Sequence, residues 1–160
     1  MNPFFLTPQE RLGDWKQFRQ NLKNFSEEEA LSLVANYWAK APLLKMAHDI
    51  EAPDEIPSPW EMISEGNWCR NSIAIGMEFT LRLAGVIDAD RMELRMLRDR
   101  DISEVILVLI IDDSRVLNYT YGDVIDYPAT DHDVIGRWAF KGKFYVRTDT
   151  VNIPSKNLKE

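Results

Sequence analysis

The 160-residue sequence has few of the side chains that most often carry nucleophilic and acid–base chemistry. It contains one cysteine, Cys69, and two histidines, His48 and His132. A single cysteine excludes an intramolecular disulfide, so nothing favours an oxidising compartment. Two distant histidines without a cysteine pair do not have the spacing of a structural zinc site. We therefore expect neither a metal nor another cofactor.

The sequence is also short of positive charge and of long apolar runs. Its net charge is −7, which argues against a sequence-independent grip on nucleic-acid phosphates. The longest apolar run, VILVLII, has the length of a strand and falls far short of the roughly 20 residues of a membrane helix. The start, MNPFFLTPQERLGDW, lacks the basic region of a signal peptide. We expect a cytoplasmic protein with protein partners, and neither nucleic acid nor a membrane among them.

The composition is that of an ordinary globular chain, with 45% hydrophobic and 28% charged residues. Its length suits one domain, which we place at residues 1–150, with a flexible tail at 151–160. Residues 1–45 form a helical lead. The proline-rich stretch EAPDEIPSPWEM reads as a stiff connector, because too little chain precedes it to fold alone.

Helices dominate the first half. Thr7 and Ser26 have the sequence signature of helix N-caps, the second within a Ser-x-x-Glu capping box. A short helical turn is predicted from Trp60 to Glu65. The third full helix is predicted from about Cys69 to Ala84, where Gly85 would end it in the left-handed conformation.

Strands dominate the second half. RMELRML alternates, EVILVLII is a buried run, and RVLNYTYG follows the turn DDS. GRWAF and KFYVRT predict a second hairpin around KG. Helices followed by an antiparallel meander predict an α+β fold, in which the cysteine-bearing helix packs on the sheet.

A cysteine at the start of a central helix, followed by strands, is the papain-like order. The positive end of a helix dipole favours the thiolate. A histidine on a neighbouring strand can then hold the proton, and an Asn or Asp on the next strand can orient the imidazole.

The segment PWEMISEGNWCRNSIAIGMEFTLRLAGV, with the strands after it, resembles the bacterial transglutaminase-like cysteine proteinase family over residues 57–127. The resemblance implies a papain-like fold and a Cys-His-Asp triad. Carried onto this sequence, it places the nucleophile at Cys69, the histidine position at Glu104 (Ser103 or Val105 if the register slips by one) and the orienting position at Asn118. Where the family has two acidic residues beside the cysteine, this sequence has Trp68 and Arg70.

Glu104 cannot replace an imidazole, because an ionised carboxylate beside the cysteine would disfavour the thiolate. Glu104 is expected either to be protonated or to pair with Arg70. His132 lies in a predicted turn and is the candidate for a relocated base, whereas His48 is expected to be a surface residue. Trp68 is expected to cap the cleft beside the cysteine.

Three function classes remain open from the sequence. The chain could be a catalytically degenerate transglutaminase-like domain that serves as a binding or assembly module. It could instead be a weakly active cysteine hydrolase or transferase using Cys69, or a structural protein with an inert core cysteine. EGNWCRNSIAIGMEFTLRLAG with LNYTYGDV also resembles small proteins of tailed phages that infect marine bacteria, which would imply a virion component. The aromatic start, NPFFL, and the C-terminal tail would then suit docking to neighbouring subunits.

Overall fold

The computed structural model describes residues 2–43, 48–66 and 68–149, and the predicted tail at 151–160 lies outside them. Four α-helices precede six β-strands. The helices are α1 (Pro8–Leu22), α2 (Glu27–Trp38), α3 (Pro59–Glu65) and α4 (Arg70–Leu83). The strands are β1 (Met92–Asp99), β2 (Val105–Ile111), β3 (Arg115–Leu117), β4 (Val124–Asp126), β5 (His132–Lys141) and β6 (Phe144–Arg147).

Helix boundaries follow local chemistry. Thr7, Ser26 and Ser58 cap α1, α2 and α3, and each forms a reciprocal capping box with the glutamate three residues later. This arrangement satisfies backbone N–H groups that have no partner within the helix. After α4, Gly85 has φ = 74°, the left-handed conformation expected there.

The six strands form one antiparallel sheet in the order β4-β3-β2-β1-β5-β6. The predicted pairing of RMELRML with EVILVLII is confirmed as β1 and β2, and the predicted hairpin around KG is confirmed as β5 and β6. The third predicted strand is shorter than expected, because Asn118 has φ = 72° and turns the backbone out of the extended conformation after Leu117. β4 was not predicted, and β5 begins at His132, a residue that the sequence placed in a turn.

The helices cover one face of the sheet. The helix-facing residues of β1, β2 and β3 belong to the main core, together with buried side chains of all four helices. The opposite face carries a second apolar cluster, which Tyr119, Ile125 and Tyr127 partly cover: Leu97, Ile106, Val108, Ile110 and Val116. The predicted α+β architecture, with the helix that follows Cys69 packed on an antiparallel sheet, is confirmed.

The N-terminal aromatic segment belongs to the main core. A short 3₁₀ helix, Pro3–Phe5, buries Phe4 against the rings of Trp38 and Trp68, with centroid distances of 5.2 and 4.8 Å. Phe5, the next residue, is exposed. The expectation that NPFFL is a free docking segment is therefore wrong for Phe4. Within the described ranges, no helix is both long and apolar enough to cross a membrane.

Candidate functional site

Cys69 is the N-cap residue of α4 and is partly exposed. Its backbone N–H donates to Ser72 Oγ at 3.1 Å, so Ser72 takes the place that a glutamate takes in a capping box. The sulfur also lies 3.1 Å from the same Ser72 oxygen. The thiol therefore sits at the positive end of a 14-residue helix, in contact with a fully buried hydroxyl.

Two opposing effects set the pKa of the Cys69 thiol. Burial raises it, since a thiolate is poorly solvated there. Hydrogen bonds from the Ser72 hydroxyl and from the backbone N–H groups of His48 and Asn71 stabilise the thiolate. These bonds outweigh burial, so the pKa lies below its usual value. The thiol therefore combines partial exposure, a position at a helix start and a lowered pKa.

His48 lies at this site, and its expected place on the surface is wrong. Its Nδ1 is 2.7 Å from Ser72 Oγ, its Nε2 is 3.8 Å from Glu65 Oε1, and its side chain is only 11% exposed. Described residues on either side of His48 in the sequence are anchored: Leu43 forms a parallel backbone bridge with Trp68, and Ile50 is fully buried. No local motif signals the contact with Ser72, because it joins residues 24 positions apart through the tertiary fold.

Glu104, at the position of the family's histidine, is half-exposed and pairs with Arg70. Its Oε1 lies 3.6 Å from Arg70 Nη1, and the side chain is 52% exposed. Arg70 also donates to the Tyr119 carbonyl oxygen at 2.8 Å and lies over the Tyr121 ring, 5.2 Å from its centroid. Of the two states considered for Glu104, the structure has the ion pair with Arg70.

Asn118 is fully buried beside the start of α4. Its side-chain N–H groups donate to the carbonyl oxygens of Arg70 at 2.9 Å and Leu107 at 3.0 Å. It therefore fastens the first turn of α4 to β2. Glu104 and Asn118 both contact Arg70, the residue after Cys69, so the structure brings the three expected positions to one end of α4.

Trp68 is part of the core and does not cap a cleft. It is fully buried, with its ring against Phe4 and 6.3 Å from Trp38 between centroids, and with the Arg11 guanidinium 5.4 Å from its ring centre. The backbone of Trp68 forms a parallel bridge with Leu43, and its side chain lies inside the main core.

His132 lies on the other face of the sheet and does not reach Cys69. It pairs in register with Asp99, and its ring contacts Tyr127, which partly covers the second apolar cluster. Both ring nitrogens have partners there, the Tyr127 hydroxyl and the Thr130 carbonyl oxygen, each at 2.8 Å. The role of relocated base considered for His132 is wrong, because the sheet separates it from α4.

No group of three histidine, cysteine, aspartate or glutamate side chains within residues 2–43, 48–66 and 68–149 could hold a metal ion.

No family model matches the chain, and no curated protein sequence does. Solved structures of Legionella pneumophila LapG do match. One is 18% identical, with a TM-score of 0.67, over 86% of this chain and 76% of LapG. Calcium-bound LapG is 16% identical, with a TM-score of 0.68, over 96% of this chain and 87% of LapG. The EGTA-treated form is 16% identical, with a TM-score of 0.67, over 91% of this chain and 80% of LapG. LapG is a cysteine protease, and at these identities the likeness shows that this chain has the transglutaminase-like fold.

Proposed function

We propose that this chain is a transglutaminase-like domain whose triad partners have become structural, and that it serves as a polypeptide-binding or assembly module. The observation that carries the proposal is that the side chains of Glu104 and Asn118 are bonded to groups other than the thiol. One forms an ion pair with Arg70, and the other donates both amide hydrogens to backbone oxygens. Neither side chain has a hydrogen bond to the thiol, so neither acts as its general base. Loss of a general base typically removes about 10²- to 10⁴-fold from a rate.

The surface at the start of α4 suits recognition. Arg70 and Glu104 present a partly exposed ion pair, and Tyr121 adds an aromatic ring that is 44% exposed. Aromatic residues and arginine are the groups that contribute most at protein interfaces. Peptide contacts at this surface would combine a ring face with one positive and one negative group. The phage origin expected from the sequence has no support in the comparisons, so the proposal names no particular assembly.

The test selects peptides from a displayed random library on the immobilised protein, then measures their affinity by calorimetry and their integrity by mass spectrometry. We expect bound peptides to stay intact and to lose affinity for the variants Tyr121→Ala and Arg70→Gln. Phe144→Ala, which removes an exposed ring from β6, is the matched control. Cleaved peptides, or affinities equal in all variants, would contradict the proposal.

A second test concerns the lost histidine itself. Glu104→His should give the alkylation rate of Cys69 a new dependence on an imidazole, whereas Glu104→Gln should only remove the ion pair. If Glu104→His and Glu104→Gln have the same pH profile, residue 104 does not occupy the position of a catalytic base.

A weakly active cysteine hydrolase or transferase is the second candidate. The observation that favours it is the Cys69 thiol with its lowered pKa, hydrogen-bonded at the start of α4. Incubation of acyl donors with the protein, followed by intact-mass measurement, distinguishes the candidates. A thioester at Cys69 supports the enzyme, and its absence supports the binding module.

A further inference from the structure

The chain of contacts from Cys69 to Glu65 is continuous. The sulfur lies 3.1 Å from Ser72 Oγ, which lies 2.7 Å from His48 Nδ1, and His48 Nε2 lies 3.8 Å from a Glu65 oxygen. The four groups come from the loop after α2, the end of α3 and the first turn of α4. Nucleophile, hydroxyl, imidazole and carboxylate thus stand in the order that acid–base activation of a nucleophile requires.

We infer that Cys69, Ser72 and His48 form a proton relay that makes Cys69 an acyl-transfer nucleophile, with His48 as the base in place of a strand histidine. The inference rests on the second candidate function and goes beyond it by naming the base. It does not involve Glu104 or Asn118, the positions at which the family resemblance places the partners of the cysteine.

The hydrogen-bond capacity of Ser72 supports the relay. A hydroxyl has one donor hydrogen and two acceptor lone pairs. Ser72 Oγ accepts the Cys69 backbone N–H, which leaves one lone pair and one hydrogen for the sulfur and the imidazole. With a neutral thiol, S–H donates to Ser72 and Ser72 donates to His48 Nδ1. With a thiolate, both hydrogens move by one place: Ser72 donates to the sulfur, and the new Nδ1–H donates to Ser72.

Charged and polar groups stand beside both ends of the relay. Glu65 Oε1 lies 3.8 Å from His48 Nε2, so a carboxylate is next to the imidazole that takes the proton. Backbone N–H groups of His48 and Asn71, together with the positive end of α4, stabilise the thiolate. Arg70 and Glu104 also lie near the start of α4, where they are paired with each other.

The acyl-transfer step balances in protons and electron pairs. The thiol proton moves to Ser72 while the Ser72 proton moves to His48. The sulfur attacks the carbonyl carbon of an ester or amide, an S–C bond forms, and the C=O π pair moves to oxygen. Collapse of this intermediate breaks the bond to the leaving alcohol or amine, which takes the proton back from His48 through Ser72. Water then hydrolyses the thioester, or an amine takes the acyl group.

The experiment follows alkylation of the full chain by iodoacetamide from pH 5 to 10, with Cys69 as the single thiol. The variants are Ser72→Ala, which breaks the relay, and His48→Asn, which keeps a hydrogen-bonding group at the Nδ1 position without a base. His132→Asn is the matched control, since it removes the histidine on the opposite sheet face. Near-UV circular dichroism confirms that each variant is folded.

We expect the wild-type thiolate to form below the usual thiol pKa of about 8.5. Ser72→Ala and His48→Asn should move the profile toward that value, and His132→Asn should match the wild type. At a pH below the thiol pKa of both proteins, the thiolate fraction and with it the rate should fall about tenfold for each unit by which the thiol pKa rises. A wild-type profile at the usual value, or variants with an unchanged profile, would overturn the relay. If Ser72→Ala does not fold, the His48→Asn profile decides alone.

The acyl step is tested with p-nitrophenyl acetate. A burst of nitrophenolate, with one acetyl group on Cys69 by intact mass, is expected for the wild type and should weaken at least tenfold in His48→Asn. Fast alkylation without any acetylated Cys69 would refute acyl transfer. Because these readouts concern covalent chemistry at the sulfur, their failure leaves the peptide-binding proposal standing.

Discussion

Gly76, in the middle of α4, gives a stability prediction that can be worked from the structure. Glycine in a helix interior is about 1 kcal/mol less favourable than alanine, so Gly76→Ala would stabilise an isolated helix. In the folded protein the added Cβ would lie 2.4 Å from Trp38 Cη2 and 2.5 Å from Cζ2. Carbon atoms normally pack at about 3.5–4.0 Å, so one of the two helices would have to move by roughly 1 Å or more.

Trp38 has little freedom to move away. It is fully buried, its indole N–H donates to Thr80 at 3.1 Å, and Phe79 lies 6.0 Å from it between ring centroids. Overpacking a rigid core typically costs about 1–3 kcal/mol or more. Contacts of 2.4 and 2.5 Å with a fixed ring place the cost in the upper part of this range, about 2–3 kcal/mol. After the gain of about 1 kcal/mol in helix propensity is subtracted, we expect Gly76→Ala to lower the free energy of unfolding by roughly 1–2 kcal/mol.

Gly13→Ala is the matched control. Gly13 is also inside a helix, α1, but nothing lies within 4 Å of an added Cβ. The same substitution should therefore raise the free energy of unfolding by roughly 0.5–1 kcal/mol. Urea denaturation monitored by tryptophan fluorescence measures both. A Gly76→Ala variant at least as stable as the wild type would refute the argument that contact between α2 and α4 requires glycine.

Two further predictions concern groups away from the candidate site. The Thr80 hydroxyl accepts the buried indole N–H groups of Trp15 and Trp38, at 3.0 and 3.1 Å. Thr80→Val should therefore lower the free energy of unfolding, measured by urea denaturation, by about 2–4 kcal/mol. Thr120→Val, in the loop after β3, is the control, and an equal loss in both variants would contradict the reasoning. Hydrogen bonds from Arg91 lower the pKa values of Glu27 and Asp112. These two carboxylates therefore stabilise the folded state above their unfolded pKa values of about 4.5 and 3.8, and that stabilisation is lost as the pH falls. Arg91→Gln should therefore flatten the decline of thermal stability between pH 5 and 3, and a decline as steep as that of the wild type would count against this.

Most of the fold could be predicted from local patterns. The caps Thr7, Ser26 and Gly85 and the period of the buried side chains indicated the helices, and the run VILVLII indicated the central strand β2. β4 was missed because three residues, Val124–Asp126, carry too short an alternation to distinguish them from a loop. The start of β5 was missed because the polar residues Asp131 and Asp133 around His132 are typical of turns.

The candidate site was predicted in part. The helix pattern located Cys69 at the start of a helix, and the family resemblance placed Glu104 and Asn118 in the same region. His132 was considered as a relocated base and His48 was expected on the surface, because the sequence shows the neighbours of each histidine but not which distant residues it meets. In the structure His132 lies on the far face of the sheet, whereas His48 Nδ1 lies 2.7 Å from Ser72 Oγ.

The α+β class, the helix that presents the thiol and the absence of an intramolecular disulfide follow from the residue order alone, because caps, side-chain periods and cysteine number are local or countable properties. Which side chains surround the thiol, and that Trp68 points into the core, depend on the folded chain. Those outcomes depend on loop closure and on which face of the sheet a residue occupies, and both are settled by packing among distant segments rather than by neighbours in the chain.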